Sequence, residues 1–320
     1  MDARIPRIGD SMMLFASVVI GTALAPAFAF VGLPIAAAGI AGLAYRGQTV
    51  LAAFAAAAGV IVVGAFSLSS VVFVAPVLAA VVLTVVMLPK RPLQTVAAAL
   101  VAVLALASIA ADALLARSQG TTLPATISQQ SQAVVAEMTK AMGASAQAET
   151  LRALKDAATL IASAWPSAYF QAALFIGVFV VVAVAWAARR VDRPLTVPPL
   201  SRLDLSPHIL WVFVAGLFML AASYASFAGA STLGVVGLNL VLCARTLFFL
   251  QGFSVAAGLL DRAGVGLGGR ILAMAVLAAL DALTLVVSFT GLLDFWINFR
   301  RLPRDGAMQK TVAEPEGRRW

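Results

Sequence analysis

A chain of 320 residues that is 62% hydrophobic, only 11% charged and has a mean hydropathy of +0.99 carries more apolar surface than a water-soluble domain can bury. It reads as a polytopic membrane protein. The net charge of +8 sits in short Lys and Arg clusters at the ends of apolar runs, where it orients spans and excludes a nucleic-acid partner; the single cysteine, Cys243, excludes a disulfide and a multi-cysteine metal site.

The first 29 residues imitate a secretory signal, with Arg4 and Arg7, an apolar stretch from Met12 and the A-x-A sequence Ala27-Phe28-Ala29. Because further spans follow at once, the stretch reads as an uncleaved first helix with cytoplasmic arginines. Pro26, Gly32 and Pro34 divide residues 11–45 into two helices, 11–29 and 31–45, the second carrying the small-xxx-small pair Ala38 and Gly42. Spans follow at 49–66, 68–88 and 93–115, with Lys90 and Arg91 on the cytoplasmic side and Asp112 and Arg117 in the interfacial zone. Residues 1–116 thus form an N-terminal set of about five spans.

Residues 117–166 break the pattern, being rich in Gln, Ser, Thr and Ala. Val134, Val135, Met138 and Met142 recur at helical spacing, as do Leu151, Leu154, Ala158 and Ile161, with Gly143 between the sets. This predicts an extracytoplasmic insert of two amphipathic helices lying on the membrane or on each other. Residues 167–302 form the C-terminal membrane set. A sixth span, 167–188, stops at Arg189-Arg190, and the proline-rich loop holding Asp192, Arg193 and Arg202 marks the cytoplasm. A seventh covers 209–227, with His208 and Trp211 as interfacial residues.

The next two apolar runs, 231–260 and 271–293, flank the turn Gly264-Val265-Gly266-Leu267-Gly268-Gly269, which lacks the preceding strand that a phosphate-binding glycine loop needs. Charges inside them need a reason, since Arg or Asp at the centre of a span costs about 2.5 to 3.5 kcal/mol. In an antiparallel hairpin turning near Val265, Arg245 lies 20 residues before the turn and Asp281 lies 16 after it, so their depths differ by about 6 Å, within reach of an arginine. The pair is either a structural lock on helix register or part of a ligand cavity. Asp281, Thr284 and Ser288 form one stripe, and with Asn239, Arg245 and Gln251 they are the candidate substrate-binding residues. Asn239, Arg245 and Gln251 are spaced six apart, so they point in directions about 120° apart and at most two can line one pocket.

Counting spans gives eight or nine in an all-α bundle, with the N-terminus inside. Nine spans would place Arg300, Arg301, Arg304, Lys310, Arg318 and Arg319 outside, against the arginine rule, so something near the C-terminus must yield and both termini are expected on one side. Residues 231–260 would be about 45 Å long as one helix and are expected to kink, tilt or double back. The polar tail, 303–320, has no periodicity and reads as disordered.

No nucleotide-binding loop, zinc motif, nucleophile elbow, paired carboxylates or Ser/His/Asp set is present, so an enzyme, a cofactor and a metal are not expected. The order of Gly32-Leu33-Pro34, the run Gly39 to Gly47, Asn239, Gln251-Gly252 and Gly291-Leu292-Leu293-Asp294 ending at Phe299-Arg300 resembles the YybS family of bacterial membrane proteins with a domain of unknown function. That family is in turn distantly similar to the substrate-binding S-components of energy-coupling-factor vitamin transporters and to the rod-shape membrane protein MreD. The resemblance implies a binding or scaffolding bundle in the bacterial cytoplasmic membrane. The expected function is an S-component-like small-molecule binding or transport subunit that needs a separate energising protein; the alternative is a structural or regulatory scaffold in cell-envelope assembly.

Overall fold

The computed structural model describes residues 8–142, 148–193, 195, 197–225 and 229–303, and among these it contains twelve α-helices and no strand. In chain order they are α1 (Ile8–Leu24), α2 (Ala29–Tyr45), α3 (Thr49–Phe66), α4 (Leu68–Met87), α5 (Leu93–Ser118), α6 (Leu123–Met142), α7 (Ala148–Ser163), α8 (Trp165–Arg190), α9 (His208–Ala222), α10 (Ala230–Arg262), α11 (Leu267–Thr284) and α12 (Val286–Ile297). By length and composition α3, α4, α5, α8, α10 and α11 can each cross a membrane, and α1, α2, α9 and α12 are shorter apolar helices. The chain is therefore a multi-pass membrane protein. It divides into two units, one of Met1–Val197 with Ser223–Asn239, the other of Pro198–Ala222 with Leu240–Trp320.

The first unit is built around α2, which packs against α1, α3, α4 and α8. Its Gly and Ala content explains this: without bulky side chains, helix backbones approach closely and dispersion contacts replace the hydrophobic drive that lipid does not supply. A Cβ at Gly32 would run into the backbone of Gly21 and Ala25, one at Gly39 into Ser17, Val18 and the Leu14 carbonyl, and one at Gly42 into the Leu14 side chain. The close-packing surface thus extends well beyond the expected Ala38 and Gly42 pair. Leu33, Ala36, Ala37, Ile40, Ala41 and Leu43 are fully buried around it. At the end of α2 the Tyr45 hydroxyl donates to the Val85 carbonyl at 2.9 Å, and the Arg193 guanidinium lies 5.5 Å from the Tyr45 ring centre.

Helices α6 and α7 pack on each other, as the two helical stripes of residues 117–166 predict, while Gly143 lies outside the described residues. The stripes themselves divide. Ala158 is buried and Val135, Leu151 and Leu154 are half-buried, but Val134, Met138 and Ile161 stay exposed, as does Leu160. The helix-to-helix face is narrower than the apolar pattern, although α6 also touches α5 and α7 also touches α8.

In the second unit Gly216 lets α9 lie close against Leu240 and Val241 of α10, and Phe213, Phe248 and Phe295 stack edge to face at 5.2 and 6.0 Å. Helix α10 is one element of 33 residues and does not double back; the expected seventh span closes at Ala222, with residues 226–228 outside the described set. Helix α11 returns antiparallel to α10, with Arg270 paired to Asp261 at the turn and Arg245 paired to Asp281 further along.

The run 271–293 departs from the expected single span. It breaks at Leu285, a left-handed residue with φ of 58°, and α12 turns back across α10. The crossing needs glycine twice, because a Cβ at Gly252 would strike the Val287 carbonyl and one at Gly291 the Phe248 carbonyl. After α12 the chain reaches the end of α10, where Arg262 donates to the carbonyls of Phe299, at 3.2 Å, and Arg300. Arg300 therefore lies at the same end of this unit as Arg262. A reversal inside the last apolar run brings Arg300 beside Arg262, where strict alternation of nine spans would put them at opposite ends.

Candidate functional site

The break between α11 and α12 frees backbone groups at the start of α12, and a neighbouring side chain takes them up. Asp281, only 3% exposed, accepts from the Ser288 backbone N–H through Oδ1 at 2.8 Å and from the Ser288 hydroxyl through Oδ2 at 2.8 Å. Ser288 is the third residue of α12, so Asp281 does from the preceding helix what a capping residue does at an ordinary start, and its charge faces the positive end of the α12 dipole. Leu285 occupies the capping position itself but offers no side-chain acceptor.

Arg245 stands 3.5 Å from Asp281 Oδ2, and its side chain is 40% exposed. Among the described residues it has no hydrogen bond and no other ion-pair partner, so most of its five N–H donors are unfilled. The expected pair is thus present, but its two members differ. Asp281 is buried and saturated, whereas Arg245 is half-exposed and under-used.

Gln251 belongs to a second polar cluster in the same unit. Its Nε2 donates to Asp204 Oδ1 at 2.8 Å and to Asp294 Oδ2 at 3.0 Å, while its Oε1 accepts from the Leu205 N–H at 3.1 Å. Arg300 reaches the same carboxylates, Asp294 at 2.8 Å and Asp204 at 3.2 Å, and also donates to the Leu203 carbonyl and to Ser254. Ser254 donates in turn to the carbonyls of Leu200 and Leu203 at 2.6 and 2.8 Å, and the Phe299 N–H donates to Asp294 at 2.8 Å. Gln251, Ser254 and Asp294 are completely buried and Arg300 nearly so. Two carboxylates sharing one guanidinium and one amide hold residues 200–205, α10 and the end of α12 together.

The six candidate residues therefore do not form one pocket. Arg245, Asp281 and Ser288 come together; Gln251 joins the second cluster; Thr284 is exposed and returns its hydroxyl to the Leu280 carbonyl at 2.8 Å. Asn239 lies in the first unit, where its amide donates to the Ser163 carbonyl and accepts from the Ser167 N–H, both at 2.9 Å, clasping the junction of α7 and α8. The three directions expected of Asn239, Arg245 and Gln251 are realised as three sets of partners. Asp204, Asp294 and Arg300 were not among the candidates, and their only sequence signal is a carboxylate and an arginine six apart where the last apolar run ends.

A family described as predicted membrane protein DUF2232 matches residues 12–295. No curated protein and no solved structure matches the chain.

Proposed function

The chain belongs to the DUF2232 family of predicted membrane proteins, and on that premise we propose that it is a membrane-embedded binding subunit for a small carboxylate-bearing solute, held at Arg245 beside the α11–α12 break. One observation carries the reading: a half-exposed guanidinium within an apolar helix, with unfilled donors, next to a carboxylate already occupied by Ser288. An idle Arg at that depth is unfavourable, and the planar fork of donors matches a carboxylate bidentately. Interrupted helices inside membranes are a recurrent way of presenting backbone and dipole ends to solutes. The resemblance to YybS proteins and, through them, to S-components favours the same class, and without a nucleotide-binding loop any transport would draw on a separate energising protein.

In the accompanying topology, placed in a bacterial cytoplasmic membrane, the N-terminus, the 189–207 loop, the 263–266 turn and Arg300 face inward. The α6–α7 insert faces outward, and α11 with α12 enters and leaves by one face. Mass spectrometry of small molecules extracted from the purified protein tests the reading. A stoichiometric carboxylate, lost in Arg245→Gln with the fold retained, supports it; an empty protein, or a ligand kept by Arg245→Gln, overturns it. A second reading, a scaffold in envelope assembly, is favoured by the exposed Val134, Met138, Leu160 and Ile161 on α6 and α7. Crosslinked cell-wall or division proteins with an empty Arg245 site would select it.

A further inference from the structure

At the arginine-rich end of the second unit, residues 201–204, the end of α10 and residues 300–303 surround a cavity of about 700 Å³. That volume is in the range of small-molecule sites, which run from roughly 300 to 1,000 Å³. Its wall carries three guanidinium groups, from Arg202, Arg262 and Arg300, and two carboxylates, Asp204 and Asp261. The carboxylates are occupied, Asp204 by Gln251 and Arg300, Asp261 by Arg270.

The arginines are not correspondingly satisfied. Arg202 is exposed and its guanidinium has no partner among the described residues. Among the described residues Arg262 touches only the carbonyls of Phe299 and Arg300, and none of their carboxylates lies within ion-pair distance of it. Arg300, 3% exposed, has a buried Nε–H with no acceptor among the described residues, although both its terminal nitrogens are bonded. A buried donor left unmade is unfavourable, and two uncompensated arginines on one cavity wall add a positive field. We propose that this cavity binds a phosphate-bearing anion, with Arg202 and Arg262 on its oxygens and the buried Arg300 guanidinium adding its charge from the wall. A phosphate group suits the site because its tetrahedral array of oxygens, three with up to two charges in a monoester and two with one charge in a diester, can engage guanidinium groups on more than one side. The group can arrive on a soluble phosphomonoester or on an anionic phospholipid headgroup.

The test uses the full chain in phosphatidylcholine nanodiscs. Glycerol 3-phosphate is titrated calorimetrically in one arm, and in the other, native mass spectrometry follows retention of phosphatidylglycerol mixed into the discs. Saturable binding in the first arm alone identifies a soluble ligand, and in the second alone a headgroup. In whichever arm binds, Arg202→Gln should weaken affinity about tenfold, and Asp261→Asn, which removes a nearby negative charge, should strengthen it. Arg202 is exposed and unpartnered, so its variant should melt as the parent does. Binding in neither arm above the phosphatidylcholine background, or binding unchanged by Arg202→Gln, overturns the proposal, as does weaker binding by Asp261→Asn.

Discussion

Asp281 and Arg245 meet at 3.5 Å, yet they share that contact unequally, and the inequality predicts different mutant energetics. Asp281→Leu removes two hydrogen bonds from Ser288 as well as the ion pair, and uncaps α12. It should destabilise by about 3 kcal/mol. Arg245→Leu leaves the carboxylate with both Ser288 bonds and should cost only about 1 kcal/mol, since its guanidinium is partly exposed. Unfolding in mixed micelles, followed by a melting curve for each variant, checks the order; equal losses would show that the pair is a mutual lock. Arg300→Leu is expected to exceed both, costing about 3 to 5 kcal/mol, because it removes the buried cation that Asp294 and Asp204 share. Arg301→Leu, one residue on and exposed, should change the melting curve by under about 0.5 kcal/mol.

The break at Leu285 has a sign test. A non-glycine residue in the left-handed region is strained by about 1 to 2 kcal/mol, so Leu285→Gly should raise stability by roughly 1 kcal/mol. Were α11 and α12 one continuous helix, the same change would lower it by about 1 kcal/mol. Detergent melting of that single variant separates the two. Helix existence, the α10–α11 hairpin and the Arg245–Asp281 pairing could be read from apolar run lengths and residue counting. The break could not. Thr284-Leu285-Val286-Val287 holds neither Gly nor Pro, so no local signal interrupts the pattern, and the glycines that permit the crossing lie elsewhere, at Gly252 and Gly291. The second polar cluster was hidden for a related reason. Asp204 sits in a loop whose charges look like topology markers, and only tertiary folding brings it to Gln251 and Arg300.

For the whole chain, the reversal at Leu285 predicts which surfaces share a compartment. In a Cys243→Ala background, cysteines placed at Gly266 and Pro303 should react with an impermeant reagent from the same side of the membrane, and one at Gln130 from the other. Opposite labelling of Gly266 and Pro303 would restore a full ninth crossing. Arg300 also has a consequence for how the protein is made. The groups it serves, Asp204, Ser254 and Asp294, are all synthesised before it, and two of them are completely buried in the finished unit. Until the ribosome has added that residue, the nascent C-terminal half lacks the arginine these groups share in the finished unit, so it is expected to be a better substrate for membrane proteases. A chain ending at Ile297 would stay in that condition permanently, and its cellular half-life should be far shorter than that of a chain extended through Leu302.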